Sequence, residues 1–221
     1  MMRNAATTAS TPGEFMSAIG VAAHRAPRLA VICAVLLLAV PTGIVAMVQG
    51  AGAIPLPYNL FLVDQRLPGI FKLHMLASGA ALILIPLVIA VRRDGAWHRP
   101  LGYAAAVFVL VGALTSLPVA IYSHSADAAR AGFLAQGIVW LALIALGIIA
   151  ARRRRFAIHA RLMLAMAAVS SGALWVRLTT TAVTTYDLPF DTAYSCAAWL
   201  GWMVPLAAAM LLPSPWTPRP R

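Results

Sequence analysis

Six stretches of about twenty apolar residues follow one another along most of this chain: 28–48, 70–91, 101–122, 131–150, 157–181 and 193–212. A bilayer's hydrocarbon layer is ~30 Å thick and takes about 20 helical residues to cross. Backbone groups in lipid must be satisfied within the segment, so each stretch reads as a helix. Barrel strands would be about 10 residues long and alternate in polarity, which these do not. The predicted fold is therefore all-α: a polytopic integral membrane bundle with six transmembrane helices. Charged residues make up 10% of the chain, against roughly 25% in a soluble domain. That shortage excludes an ordinary soluble enzyme.

The stretches also set the domain limits. Residues 1–27 read as a mobile cytoplasmic tail, 28–212 as one transmembrane domain and 213–221 as a short cytoplasmic tail. Residues 29–40 also resemble a signal-peptide core, with Ala51-Gly52-Ala53 as a cleavage site. Some twenty-seven residues precede that core and the apolar run continues through Met47, so an uncleaved helix is expected.

Seventeen Lys and Arg face six Asp and Glu, for a net charge of +11. In a soluble protein this would suggest nucleic acid. Here thirteen of the seventeen lie in the tails and in the 92–100 and 151–161 loops. Only Arg66, Lys72 and Arg130 lie in the alternate loops, and Arg177 falls inside a helix. The positive-inside rule then predicts a cytoplasmic (inner) membrane protein with both termini in the cytoplasm. Cys33 and Cys196 fall near opposite faces, too far apart for a disulfide. Pro68 fits the first turn of the second helix, while Pro41, Pro86, Pro118 and Pro205 are expected to bend spans. The apolar 49–69 segment reads as a folded-back lid. Trp97, Trp199, Trp202 and Trp216 suit an interfacial belt.

Polar groups in lipid are costly and so mark candidate sites. Arg177, four residues before the end of the fifth stretch, either snorkels to the outer headgroups or binds an anion. Four histidines fall at helix ends in two layers: His74 and His124 with Arg177 outside, His98 and His159 with Arg99 and Arg161 inside. His159 and Arg177 are eighteen residues apart, five helical turns, so a continuous helix would place them on one face with Met163, Met166, Ser170 and Ala173 between them. Histidines in two layers can ligate b-type haem. The pairs would be His74 with His124 and His98 with His159; His74 and His159 are the best single iron ligands, and Arg99 and Arg177 could neutralise propionates. The pattern of two ligands about fourteen residues apart on one helix is absent. So are phosphate-loop, HExxH and GxSxG motifs, and all six acids fall in loops or the tail. This argues against hydrolase, kinase and protease chemistry.

Three segments carry a family resemblance: His74-Met75-Leu76-Ala77-Ser78-Gly79, His98-Arg99-Pro100-Leu101-Gly102-Tyr103 and His159-Ala160-Arg161-Leu162-Met163. With Arg177 they make the chain, over about 70–181, resemble a bacterial family of membrane proteins known as domain of unknown function 2306. The chain departs from it at Leu162, where the family has Trp, and at Ala165, where it has Arg. The layout is also distantly similar to transmembrane di-haem cytochromes b. Three classes follow. One is a haem-binding electron-transfer protein with a redox partner or quinone. Another is a small-molecule or lipid binding or transport protein using Arg177 and His74. The third is a non-catalytic membrane assembly subunit. Nucleic acid is not an expected partner; the lipid bilayer is.

Overall fold

The computed structural model describes residues 34–211. Cys33, Trp216 and both tails lie outside them. The described residues form eight helices: α1 (Ala34–Gly50), α2 (Tyr58–Arg66), α3 (Pro68–Ala90), α4 (Gly95–Tyr122), α5 (Asp127–Arg152), α6 (Phe156–Ser170), α7 (Gly172–Tyr186) and α8 (Phe190–Leu211). No strand occurs among them. Five units are long and apolar enough to cross a membrane: α3, α4, α5, α6 with α7, and α8. The described part of α1 is a shorter apolar helix.

Local chemistry sets the ends. Asp94 caps α4, its carboxylate accepting from the Ala96 N–H at 3.0 Å. This cap starts the helix well before residue 101, so His98 and Arg99 stand in its first turns rather than in a loop. Pro68 opens α3 as expected. Three helices end in the same left-handed motif, in which the N–H groups of two successive residues turn back to the last turn's carbonyls. The left-handed residues are Gly52 after α1, Arg154 after α5 and Asp187 after α7. The closing bonds are Ala53 N–H to Val48 O, Arg155 N–H to Ala150 O and Leu188 N–H to Val183 O.

Helix α5 sits centrally, packed on α4, α6 and α8, while α3 packs on α4. The core filling these seams includes Ala81, Ile85, Val109, Trp140, Met166 and Val169. Trp202 belongs to this core and not to an interfacial belt: it is buried in α8, its indole N–H bonded to Ala198 O. Helix α1 crosses α3 at paired glycines. A Cβ added at Gly43 would meet the Gly79 carbonyl oxygen at 2.6 Å, and one at Gly79 would meet Gly43 O at 2.6 Å. Only backbones without side chains can approach so closely.

Within the 49–69 segment the chain forms α2, which packs on α3 and α4. Val63 joins Phe71 and Met75 in a small apolar cluster there. The fifth span is not one straight helix. It breaks at Ser171, whose N–H is shared between Ala167 O and Ala168 O, both at 3.2 Å. Beyond the break α7 packs chiefly on α8. The expected five-turn stripe from His159 to Arg177 is therefore interrupted: Met166 and Ser170 are buried, whereas Ala173, past the break, is exposed.

Candidate functional site

Three of the four candidate histidines do the same thing. Each turns ring Nδ1 toward a backbone carbonyl of the neighbouring helix. His74 on α3 reaches Gly112 O on α4 at 3.1 Å. His98 on α4 reaches Val88 O on α3 at 3.3 Å. His159 on α6 reaches Gly147 O on α5 at 3.0 Å. A carbonyl can only accept, so these contacts place a proton on Nδ1, and a neutral ring held this way carries its lone pair on Nε2. His74 sits in the most polar nest, with Ser78 Oγ at 3.3 Å and Thr115 Oγ1 at 3.4 Å from its Nδ1. His124 behaves differently: it is exposed in the turn between α4 and α5.

His98 serves the α3–α4 seam and His159 the α5–α6 seam. Arg99 is exposed, and Arg161 donates to Met210 O at 2.7 Å, tying α6 to the end of α8. Among the described residues, no three His, Cys, Asp or Glu side chains converge to hold a metal ion.

Arg177 stands apart from His74. It lies on α7, nine residues before the helix ends at Tyr186, so it is further from that end than a span closing at residue 181 would place it. Its half-buried side chain lines a cleft of about 210 Å³ with Leu38 and Thr42 of α1 and Leu174, Leu178 and Thr181 of α7. Among the described residues its guanidinium makes no hydrogen bond or ion pair; its backbone carbonyl accepts from Thr180 and Thr181. The electrostatic neighbour is Tyr194 on α8, which also faces Ser125. The other cations at this end differ. Lys72 lies 3.8 Å from Asp64, and Arg130 pairs with Asp127 at 3.0 Å while also donating to Ile121 O at 2.6 Å. Arg66 is exposed.

Sequence reading missed three polar participants. Gln136 on α5 donates to Val169 O at the break in the fifth span. Tyr194 shares the neighbourhood of Arg177. Asp64, expected in an external loop, is buried in α2, and its Oδ1 has no hydrogen-bond partner among the described residues. A polar residue inside an apolar stretch is the signal that would have found Gln136.

No curated protein and no solved structure matches the chain. A family model described as a predicted membrane protein matches residues 71–213. The match extends beyond the 70–181 core suggested by the motifs and takes in all of α8. It spans more than half of the sequence, and the chain belongs to the DUF2306 family of predicted membrane proteins.

Proposed function

We propose that this chain is a membrane-embedded binding or carrier protein that takes an anionic ligand at Arg177. The carrying observation is the cleft itself: a half-buried guanidinium with no acidic partner among the described residues lines a hollow walled by leucines, Thr42 and Thr181. An arginine inside a membrane helix is costly to insert, up to about 2.5–3.5 kcal/mol at mid-span and less toward the headgroups, and an anion would offset part of that cost. His74 lies on another seam and takes no part. The placement we propose keeps six spans, with α1 as the first, in the cytoplasmic membrane with both termini inside.

Thermal unfolding of the detergent-purified chain tests this reading. Oleate, phosphatidylglycerol and glycerol phosphate are titrated separately. At least one should raise the midpoint in the wild type and not in Arg177→Ala. An equal rise in both proteins, or no rise with any probe, rejects the reading.

A second reading is a haem b electron-transfer role with a redox partner or quinone. One observation favours it: a metal-ligating imidazole commonly donates its other N–H to a carbonyl, as His74, His98 and His159 do. Their donor chemistry fits an iron ligand. The packing fits less well, because Val109, Trp140 and Val169 fill the interior and His124 is exposed. Reduced-minus-oxidised spectra of protein expressed with ample haem decide it: no Soret or α-band removes the redox role.

A further inference from the structure

We infer that the ligand at Arg177 is an anionic phospholipid entering sideways from the bilayer, with its phosphate on the guanidinium and its chains along α1 and α7. This rests on the anion-binding reading above and names its substrate class.

Depth is the first argument. Phe156 opens the span beside the Arg152–Arg155 run, and Arg177 lies twenty-one residues further on. At 1.5 Å per residue that path is about 31 Å, about one hydrocarbon thickness. Even with the bend at Ser171 shortening that rise, Arg177 lies in the leaflet opposite the arginine-rich end, where its long side chain can extend toward the headgroups.

Shape is the second. At about 210 Å³ the cleft is smaller than the roughly 300–1,000 Å³ of pockets that enclose a whole small ligand. It has room for a polar head, so the rest of the molecule must lie outside. The adjoining wall suits chains: Leu38 is 47% exposed and Leu178 48% exposed, so both present apolar surface to the membrane.

The polar inventory is the third. The hydroxyls of Thr180, Thr181, Thr184 and Thr185 are all spent on carbonyls of their own helix. Recognition then falls mainly on the guanidinium, which can bind phosphate bidentately. Such a site selects for net negative charge more than for the headgroup alcohol. Lys72 and Arg130 at the same end already face Asp64 and Asp127, so they offer a lipid phosphate less.

The test uses the full chain in non-ionic detergent, with dioleoyl phosphatidylglycerol, dioleoyl phosphatidylcholine and glycerol phosphate as probes. Thermal unfolding and native mass spectrometry are the readouts. Phosphatidylglycerol should raise the midpoint and give bound adducts, phosphatidylcholine should do so less, and glycerol phosphate should do neither. Arg177→Gln should bring phosphatidylglycerol down to the phosphatidylcholine level. Should that variant fail to fold, Leu38→Trp, which fills the cleft and leaves the cation, should have the same effect. If glycerol phosphate matches phosphatidylglycerol and Arg177→Gln abolishes both, the ligand is a water-borne anion: the lipid inference is overturned while anion binding stands. A phosphatidylglycerol increment that survives both variants overturns both ideas, as does the absence of any increment.

Discussion

The Gln136 side chain of α5 donates a 3.0 Å hydrogen bond from Nε2 to the backbone carbonyl of Val169 on α6. That carbonyl lies where the helical ladder tightens at Ser171 and also accepts from a backbone N–H at the α6 C-cap, so the neighbouring helix adds a second bond at the break. Gly172 makes room for it: a Cβ there would lie 2.5 Å from Gln136 Nε2 and 3.2 Å from Trp202 Cβ. Gln136→Leu keeps similar bulk and removes the bond between the two helices. Interhelical hydrogen bonds in membranes are worth about 0.6 kcal/mol on average and up to about 1.7. The variant should lose about that much in a denaturant titration, and an unchanged midpoint would show that the break does not depend on Gln136.

This bond also shows where sequence reasoning stops. The spans were legible because hydrophobicity over twenty residues reports the solvent, and Pro68 was legible because a missing N–H has few comfortable places. The break at Ser171 was not, since the bond made there joins Gln136 to Val169, 33 residues apart on two helices. That is why a continuous register from His159 to Arg177 looked sound. The histidines at 74, 98 and 159 stood out, but their partners are backbone carbonyls, which leave no mark in a sequence. The docking of α1 beside Arg177 was hidden for the same reason: tertiary neighbours of an apolar helix are not encoded in its period.

Arg154 gives a prediction of the opposite sign. It holds φ at 57° in the motif that closes α5, a region that costs a non-glycine residue roughly 1–2 kcal/mol. Glycine adopts that region at no steric cost. Arg154→Gly should therefore stabilise the chain by up to about 1 kcal/mol in reversible unfolding. A loss of stability would mean that the arginine has contacts worth more than the backbone conformation.

The crossing of α1 on α3 should tolerate no added carbon. Gly79→Ala places a methyl against the Gly43 carbonyl, at 2.6 Å before any relaxation. Overpacking of this kind typically costs about 1–3 kcal/mol. Gly69→Ala, which meets nothing within 4 Å, is the matched control and should leave the melting midpoint where it was. Equal behaviour of the two variants would show that the glycine pair is not what seats α1.

Charge placement predicts orientation. Arg152, Arg153, Arg154 and Arg155 are all exposed at one end of the bundle, and such clusters stay in the cytoplasm. Alkaline phosphatase fused after Arg221 should be inactive, and fused within 123–126 it should be active. The reverse pattern would invert the bundle and place Arg177 in the cytoplasmic leaflet.

The histidine tethers can be separated from any chemistry at Nε2. His159 uses Nδ1 to hold Gly147 O at 3.0 Å, and a net hydrogen bond is worth roughly 0.5–1.5 kcal/mol. An asparagine amide can donate in place of Nδ1–H but cannot present a lone pair where Nε2 stands. His159→Ala should lose about 1 kcal/mol of stability, and His159→Asn should recover much of it. If the histidine only ties α6 to α5, the asparagine protein should match the wild type in every other property, including any visible spectrum after haem supply. If Nε2 ligates iron, the asparagine protein should fold normally yet lose absorbance that the wild type carries. Equal destabilisation of both variants would show that the Nδ1 tether is not what holds α6 to α5.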